Sequence, residues 1–325
     1  MKLIKISLIT ICLAIGLASC KNDDNGGFET VPIRDRDEQQ MADKDSIVAY
    51  LDSHYYNSSV FDGSNPNVSS KDLIITELQV GESIPEGHRL LAKDTIMKKV
   101  NYADTDYEIW YIDLNPKTND PEPSPTFADN ILVTYEGFTL DSNIFDSAVS
   151  PTNFDLTALV AGWRKVLPEF KIAENFIENE DGTVEYTNHG VGIMFVPSGL
   201  AYFSNATGSI SAYEPINFKF DLFQKYENDH DNDNVPSYKE DWNTKDGEFT
   251  LNSSLDVHDG DDRDGDGTPD YFDSDDDGDG VPTILEDMNE DGDPTNDYGD
   301  GKSAENGDLP RYLDPEETDS YKDKK

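Results

Sequence analysis

The amino-acid sequence predicts an α+β fold: a curved antiparallel sheet around one short helix, followed by an acidic tail of little regular structure. Apolar residues alternate along Ile131–Tyr135 and strictly along Ile216–Phe223, which is typical of half-buried antiparallel strands. Leu159–Phe170 lies between them and contains one short helix, which Pro168 should end. The formal net charge of the chain is −43, and residues 228–325 hold 33 acidic against 8 basic side chains. This shift in charge predicts a separate C-terminal unit.

The N-terminus has the pattern of a signal peptide, predicted over residues 1–19. Its apolar run, Ile6–Leu17, is too short to remain in a bilayer as a spanning helix, which needs about 20 residues. Leu17-Ala18-Ser19-Cys20 resembles the lipobox of bacterial lipoproteins, in which the cysteine thiol takes up a diacylglycerol. The resemblance implies lipidation at Cys20 and anchoring in the cell outer membrane, on its periplasmic or its surface face. The alternative is an ordinary signal peptide with an incidental cysteine. Polar residues 20–34 then predict a flexible tether.

A helical lead-in and a loop are predicted over residues 35–71. Asp35 and Glu38 have the spacing of a capping box at a helix N-terminus. The apolar positions that follow fall roughly on one helical face, and they are Met41, Ile47, Val48, Leu51 and Tyr55. Residues 57–71 are rich in Ser and Asn and predict a loop.

The next domain is predicted over residues 72–227. It begins with short strand-like runs at Leu73–Leu78, Ile96–Tyr102 and Tyr107–Leu114. Asn115–Ser124 contains three prolines and predicts a turn or linker.

The composition excludes several kinds of site. Cys12 lies in the signal segment, so the mature chain keeps only Cys20 and can form neither an intrachain disulfide nor a cysteine metal site. The five histidines are dispersed, which argues against zinc. The acidic excess argues against nucleic acid as a partner, because binding to phosphates needs clustered Lys and Arg.

The order of aromatic and apolar residues from Ile131 to Phe223 resembles the peptidyl-prolyl isomerase domain of the FKBP (macrolide-binding immunophilin) family. The matching residues are mostly those of the family's prolyl pocket, and they are Tyr135, Phe145, Asp146, Phe154, Val160, Trp163, Tyr202, Ile210 and Phe218. The resemblance implies an FKBP-like sheet, in which Trp163 begins the short helix and forms the pocket floor. Tyr135, Phe145 and Phe218 would form apolar walls.

The same resemblance implies roles for the polar groups of the pocket. The Val160 N–H and the Tyr202 hydroxyl would hold substrate carbonyls, and Asp146 would supply a polar contact near the twisted imide. Ile210 would lie on the loop that closes over the proline. The sequence departs from the family in its Glu174–His189 segment, which is longer than the usual turn.

Three segments of the tail match the calcium-loop pattern, in which carboxylates occupy alternate positions, Gly or Asn follows, and another acid comes later. Calcium takes roughly six to eight oxygen ligands, so closely spaced carboxylates on a tight turn suit it. The candidate ligands are Asp229, Asp231, Asp233 and Glu240 in the first loop, Asp262, Asp264, Asp266, Asp270 and Asp273 in the second, and Asp275, Asp277, Asp279 and Glu286 in the third. A fourth loop from Asp287 is weaker, because its twelfth position is Tyr298. The close packing of the loops resembles thrombospondin type-3-like repeats; the alternative is a solvated, disordered acidic tail.

The sequence therefore predicts an isomerase of X-Pro bonds that assists the folding of exported cell-envelope proteins. Its partners would be proline-containing polypeptides and the membrane, with macrolides as possible ligands, and it would need calcium for the tail but no cofactor for catalysis. One alternative is a non-catalytic, calcium-dependent surface interaction protein that uses the FKBP fold as a binding platform. Another is a general chaperone that binds unfolded chains through the Glu174–His189 segment.

Overall fold

The computed structural model describes residues 32–116, 123–242 and 261–324. The signal peptide, Cys20 and most of the tether lie outside the described residues, so lipidation and anchoring stay predictions. Within the described ranges, no helix is both long enough and apolar enough to cross a membrane.

The lead-in starts with helix α1 (Arg36–Ser53). Its N-terminus is capped by Asp35, whose carboxylate accepts a hydrogen bond from the Glu38 N–H at 3.1 Å. A three-stranded antiparallel sheet follows, formed by β1 (His54–Tyr56), β2 (Ile75–Glu77) and β3 (Arg89–Leu90). One turn of helix, α2 (Leu91–Asp94), leads into the main sheet.

The buried face of α1 differs from the predicted apolar face. Of the five predicted positions, Ile47 and Leu51 are buried, Met41 and Val48 are exposed, and Tyr55 lies beyond the helix in β1. The other buried residues of the helix are Gln39, Gln40, Asp43 and Tyr50. Polar side chains are tolerated in this face because two of them, Gln39 and Asp43, hydrogen-bond to a loop far along the chain.

A six-stranded antiparallel sheet forms the next layer. The elements that follow α2 are β4 (Ile96–Tyr102), β5 (Thr105–Asp113), β6 (Asn130–Thr139), β7 (Ile144–Asp155), α3 (Ala161–Val166), β8 (Asn175–Glu178), β9 (Val184–Thr187), β10 (Gly190–Val196) and β11 (Ile216–Tyr226). The spatial order of the six strands is β4-β5-β10-β11-β6-β7, and β8 and β9 form a separate hairpin. Helix α3 ends before Pro168, which lies in a 3₁₀ turn. Antiparallel sheets with few helices give the α+β class that the sequence predicts.

Both faces of the sheet are covered. Phe220 belongs to the apolar cluster around Trp163 of α3, whereas Ile193 and Phe195 pack on the opposite face with Ile47 of α1. The alternation predicted for β11 is present, but the strand is not half-buried as predicted. Its second face is covered by the lead-in, and Asp221 on that face is only 2% exposed.

Asp221 attaches the lead-in to the sheet. Its carboxylate accepts hydrogen bonds from the Ser70 N–H at 2.7 Å and from the hydroxyls of Ser69, Ser70 and Thr134 at 2.9, 3.1 and 2.9 Å. His189 Nε2 lies 3.3 Å from the same carboxylate. Burial acts to raise the pKa of Asp221, but the contacts with His189, Ser70 and Thr134 outweigh it and hold the pKa below its ordinary value.

The described part of the acidic tail contains only short 3₁₀ turns and a small apolar core. Val235, Tyr312 and Leu313 are fully buried and pack with Trp242. The tail also contacts the main sheet, since His230 Nε2 lies 3.0 Å from a carboxylate oxygen of Asp155 at the end of β7.

Candidate functional site

A small open cavity of about 80 Å³ lies between α3, β6, β7 and the loop before β11. We call it the aromatic cavity, and it is lined by Tyr135, Phe145, Asp146, Phe154, Leu159, Val160, Trp163, Tyr202 and Phe218. Eight of these nine are residues that the sequence predicts for the pocket; Leu159 is the addition. Strands and loops that are distant in the sequence thus bring the predicted side chains to one place.

The walls of the aromatic cavity rest on one another. Trp163 is 4% exposed, and its ring centroid lies 5.7 Å from that of Tyr135 and 5.0 Å from that of Phe218. Phe145 meets Phe218 edge to face at 5.6 Å. Tilted and edge-to-face contacts at these distances are favourable for aromatic rings. The cavity is therefore shaped by a connected set of rings.

Gly137 of β6 allows this close packing, and the sequence analysis did not single it out. A Cβ atom at this position would lie 2.6 Å from the Phe145 ring and 2.9 Å from the Phe218 ring. Any side chain there would displace a wall of the cavity. A glycine inside a strand pattern is the signal that could have indicated such a close approach.

The polar edge of the cavity is formed by Tyr135 and Asp146. The Tyr135 hydroxyl donates a hydrogen bond to one Asp146 oxygen at 2.5 Å, and the Ser147 N–H donates to the other at 2.8 Å. Burial, with the neighbouring Asp146 carboxylate, raises the pKa of Tyr135. The hydroxyl therefore stays protonated and holds the carboxylate at the mouth of the cavity.

The three remaining pocket predictions have different outcomes. Val160 is the N-cap of α3 and Tyr202 lines the cavity beside it. Ile210 lies in the loop before β11, as predicted, but it does not line the cavity. Its backbone pairs with Thr207 in a tight turn, and its side chain is 4% exposed in the apolar cluster under the sheet. Ile210 therefore lies in the core and not among the lining residues of the cavity, and its role over a substrate proline stays a prediction.

The Glu174–His189 segment forms the β8–β9 hairpin and contributes no side chain to the cavity lining. Its Tyr186 packs on Phe223 of β11 with ring centroids 4.6 Å apart. Phe176 and Ile177 are 54% and 58% exposed. The insertion therefore leaves the aromatic cavity open.

The four predicted calcium loops share one backbone turn. In each, the first aspartate accepts a hydrogen bond from the N–H five positions later, at 3.0, 3.2, 3.1 and 2.7 Å in chain order. Those donors are Asn234, Gly267, Gly280 and Gly292, and all have positive φ. Glycine adopts this conformation without strain, which is why three of the four positions carry it.

Three groups of carboxylates come together in the described part of the tail. In each group, one oxygen per residue lies within 4.8 Å of the others. The groups are Asp231, Asp233, Glu240 and Asp276; Asp262, Asp264 and Asp266; and Asp275, Asp277 and Asp279. Two oxygens bound to one calcium ion at roughly 2.3–2.6 Å lie at most about 5.2 Å apart, so the separations in these groups are compatible with a shared ion. The donors are all hard oxygens, so the groups fit a hard divalent cation.

The remaining predicted ligands lie outside these groups. Asp229 uses its oxygens to accept backbone N–H groups of its own loop. Asp270 accepts a hydrogen bond from the Arg263 N–H at 2.8 Å, and Asp273 accepts one from the Asp275 N–H at 3.1 Å. Glu286 is fully buried, and neither of its oxygens has a hydrogen-bond partner.

Asp276 is the member of the first group that the sequence analysis missed. It belongs to the third loop but falls between the alternate positions that the pattern selects. Burial raises its pKa well above the ordinary value, and the charges of Glu240 and Asp270 add to this effect. Burial likewise raises the pKa of Glu240 to about 10. Two charges at about 4 Å repel by roughly 4 kcal/mol in a protein environment, so the group needs a cation or bound protons.

A family model described as BamM C-terminal matches residues 230–319 of this chain. The match covers most of the acidic tail. The resemblance of the loops to thrombospondin type-3-like repeats stays a prediction.

By sequence, the chain is 29% identical over 103 residues to the peptidyl-prolyl cis-trans isomerase Mip of Coxiella burnetii (strain RSA 493 / Nine Mile phase I). The alignment covers 30% of this chain and 38% of that protein, so the chain spans well under half the length of this relative. A solved structure of a peptidyl-prolyl cis-trans isomerase from Pseudomonas syringae pv. tomato str. DC3000 aligns with a TM-score of 0.31 and 23% identity, over 40% of this chain and 81% of that one. FkpA from Escherichia coli aligns with a TM-score of 0.29 and 20% identity, over 36% of this chain and 47% of that one. These neighbours by sequence and by structure are FKBP-type peptidyl-prolyl isomerases, and each is similar to only part of this chain.

Proposed function

We propose that this chain catalyses cis/trans isomerisation of X-Pro bonds and thereby assists the folding of exported cell-envelope proteins. The observation that carries the proposal is the aromatic cavity, which collects eight of the nine predicted pocket residues around one open space. Similarity to the isomerase Mip over part of the chain supports the same activity.

The reaction requires rotation about an amide bond, with a barrier of about 18–20 kcal/mol. It needs neither a nucleophile nor a proton relay. The planar amide has a larger dipole than the twisted one and is better solvated by water. An apolar cavity that excludes water therefore favours the twisted state relative to the planar one.

The side chains of the cavity suit these requirements. Trp163 and Phe218 supply an apolar floor and wall for the proline ring, and both are at most 4% exposed. Tyr202 lines the cavity, and its hydroxyl would donate to a substrate carbonyl. Asp146, held by Tyr135, would supply a polar contact near the twisted imide. Directed contacts that strengthen in the twisted state lower the barrier.

The test is an isomerase assay with a proline-containing peptide on the full chain. We expect Asp146→Ala and Tyr202→Phe each to lower kcat/KM by about tenfold, because each removes one directed contact. The matched control is Glu185→Ala, which removes an exposed carboxylate on the β8–β9 hairpin. A macrolide ligand should compete with the peptide for the cavity.

A wild-type chain that gives no acceleration over the uncatalysed peptide would refute the enzymatic proposal. It would favour the alternative of a non-catalytic binding platform. Equal losses in Asp146→Ala and Glu185→Ala would show that the cavity is not the site.

We also propose that calcium binds the tail. The support is the shared turn of the loops and the three groups of carboxylate oxygens. Asp275 and Asp277, at the first two alternate positions of the third loop, would be ligands that the backbone turn positions. Isothermal titration of the chelator-treated full chain with calcium tests this, with magnesium as the comparison because it requires a stricter octahedral shell. If the chain binds no calcium at millimolar concentration, the alternative of a solvated, disordered acidic tail is favoured.

For the N-terminus, we propose lipidation at Cys20 and attachment to the outer membrane. The support is the lipobox-like Leu17-Ala18-Ser19-Cys20 at the end of an apolar run. Cys20→Ser should abolish lipid labelling and membrane retention, whereas Cys12→Ser in the signal segment should leave mature protein lipidated. Unlipidated wild-type protein in the soluble fraction would refute the proposal.

A further inference from the structure

The carboxylate group of Asp231, Asp233, Glu240 and Asp276, which we call the composite site, differs from the other two groups. The other two are formed by alternate positions of a single loop. The composite site takes three ligands from the first loop and one from the third. It is also the most buried, since Asp233 and Asp276 are each 1% exposed and Glu240 is fully buried.

Seven of the eight carboxylate oxygens of this site have no hydrogen-bond partner in the protein, and the eighth, on Asp233, accepts from the Val235 N–H at 2.7 Å. Both carboxylate oxygens of Asp231, Glu240 and Asp276 are buried without a hydrogen bond, as is one oxygen of Asp233. Buried carboxylates are almost always paired or bound to a metal. Every donor at the site is a carboxylate oxygen, which matches the preference of calcium and not that of zinc.

We propose that the composite site binds one calcium ion and that this ion joins the first loop to the third. The inference deepens the calcium binding proposed above, because it assigns Asp276 to the site of a different loop. Asp276 would then be a ligand that the spacing within its own loop does not indicate. A cation at this place would fix the two loops in their observed arrangement.

Calcium titration of the full chain by isothermal calorimetry, after treatment with a chelator, tests this assignment through variants. We expect Glu240→Gln and Asp276→Asn each to weaken the same site by about tenfold or more, because each removes one of four charged ligands. The double variant Glu240→Gln/Asp276→Asn should lose no further site, since the effects of two substitutions in one site are not additive. The double variant Asp276→Asn/Asp279→Asn should instead lose two sites, which are the composite site and the site of the third loop.

The control is Asp300→Asn, an exposed tail aspartate outside the three groups, and it should bind calcium like the wild type. Unchanged calcium binding by Asp276→Asn would overturn the inference. It would also be overturned if Asp276→Asn and Asp279→Asn lost one and the same site, because Asp276 would then belong to the site of its own loop. A chain that binds no calcium anywhere would overturn the calcium proposal as a whole. Calcium binding by Asp276→Asn that equals that of the wild type at every site overturns the composite site alone.

A second, independent set of contacts joins α1 to the loop formed by residues 198–213. Asp43 of α1 is 2% exposed, and one of its oxygens accepts hydrogen bonds from the N–H and the hydroxyl of Ser198, both at 2.7 Å. Gln39 donates to the other oxygen of Asp43 at 2.6 Å and to the Tyr213 carbonyl at 3.4 Å. Burial raises the pKa of Asp43, although these hydrogen bonds oppose the effect.

Two arginines beside the start of α1 hold the aromatic side chains of the same loop. The Arg36 guanidinium lies 4.2 Å from the Phe203 ring centroid and donates to the Gly199 carbonyl at 3.2 Å. Arg34 lies 4.3 Å from the Tyr213 ring centroid. Contacts of this kind between a cation and an aromatic face are attractive.

The backbone of the loop explains why it needs this support. Phe203 and Tyr213 have φ values of 48° and 63°, in the left-handed region that bulky residues rarely adopt. Such a conformation persists only where the surroundings fix it. Tyr202, which lines the aromatic cavity, immediately precedes Phe203. The contacts of α1 therefore fix the backbone next to a cavity residue.

We propose that α1 positions Tyr202 for isomerisation by holding the 198–213 loop, with Asp43 as the main positioning residue. This inference rests on the proposed isomerase function. It also implies that the lead-in is part of the catalytic unit, and that a fragment beginning at residue 72 would lack this support.

Two measurements on the full chain test the proposal: kcat/KM for a proline peptide, and hydrogen exchange of the 198–213 amides. We expect Asp43→Ala to lower kcat/KM by about tenfold or more, because small displacements of a positioned group have large effects on rate. Exchange of the loop amides should rise while exchange in β11 stays unchanged. Asp43→Asn keeps an acceptor for Ser198 and should restore most of the activity.

Asp45→Ala removes an exposed carboxylate of the same helix and serves as the control. Arg36→Met gives a second test should Asp43→Ala fail to fold, and it should lower activity in the same direction. Unchanged loop exchange in these variants would overturn the proposal, and so would faster exchange with full activity. A wild-type chain without turnover would count against the isomerase function, whereas the exchange data would still show whether α1 holds the loop.

Discussion

The aromatic cavity and the composite site both form where distant parts of the chain meet, but they differ in what they need from outside. The ring centroids of Tyr135, Trp163 and Phe218 lie 5.0 to 6.1 Å apart, so these side chains pack against one another. At the composite site, Glu240 and Asp276 are buried with oxygens that have no protein partner. The cavity is thus complete as a protein structure, whereas the carboxylate site needs a cation or protons. Removal of divalent cations should therefore affect the tail and spare the aromatic cavity.

The largest expected effect is loss of tail structure when a chelator removes divalent cations from the full chain. Each filled site stabilises the folded tail by about 2.7 kcal/mol when calcium is at 100 times its dissociation constant. Limited proteolysis at neutral pH, with calcium and with EGTA, measures the effect. Cleavage in EGTA should be confined to residues after Tyr226. Equal cleavage in both conditions, or earlier cleavage in the sheet, would contradict the comparison.

A large effect is also expected inside the cavity from Phe218→Ala. Phe218 is 4% exposed and contacts the rings of Trp163 and Phe145, so its removal opens a hole in the core. The free energy of unfolding should fall by about 3–5 kcal/mol, as measured by urea denaturation. Phe176→Ala, at a residue 54% exposed on the β8–β9 hairpin, is the control and should change it by less than about 0.5 kcal/mol. A small loss for Phe218→Ala would show that the cavity walls do not belong to the core.

A medium effect with a defined pH dependence is expected from Asp221→Asn. The pKa of Asp221 is lower in the folded chain than its ordinary value of 3.8. Its stabilising effect is therefore present above about pH 4 and is lost as the pH falls through the lower folded value. We expect Asp221→Asn to reduce the free energy of unfolding by about 3 kcal/mol at pH 7 and by much less at pH 3. Urea denaturation at both pH values measures this, and an equal loss at both would refute the assigned role of the charge.

The smallest effect is expected from Tyr135→Phe, which keeps the ring of the cavity wall and removes its hydrogen bond to Asp146. The free energy of unfolding should change by only about 0.5–1.5 kcal/mol, while kcat/KM falls several-fold because Asp146 loses its fixed position. Tyr226→Phe removes a hydroxyl from an exposed tyrosine of β11 and is the matched control. An unchanged kcat/KM in Tyr135→Phe would show that Asp146 does not need this contact.

The sequence predicts the lining of the cavity better than it predicts what supports the lining. The resemblance to the FKBP family in the order of aromatic residues identifies Phe145, Trp163 and Phe218, and alternation along the strand supports only Phe218 independently. Asp43 could not be identified in this way, since its partner Ser198 lies 155 positions away. A polar residue on a helix ordinarily indicates a solvent-exposed face.

The tail shows the same limit. Alternate spacing indicates the ligands of a single loop, such as Asp275, Asp277 and Asp279. It cannot indicate Asp276, because that residue faces a different loop. Ile210 is the opposite case, in which a residue in the predicted loop is turned into the core by a local backbone pairing with Thr207. Contacts between distant segments decide the cases of Asp43 and Asp276, whereas Ile210 lies in a tight local turn.

The small core of the tail sets the order in which the chain can fold during synthesis. Val235 lies near the beginning of the tail, and it is covered by Tyr312 and Leu313 near the end. Arg263 also donates a hydrogen bond to the Leu313 carbonyl at 3.0 Å. The last strand of the main sheet ends at Tyr226, so the sheet is complete in the nascent chain long before the tail. A ribosome that stops between Tyr226 and Arg311 would release a chain with a finished sheet and a tail whose core is missing.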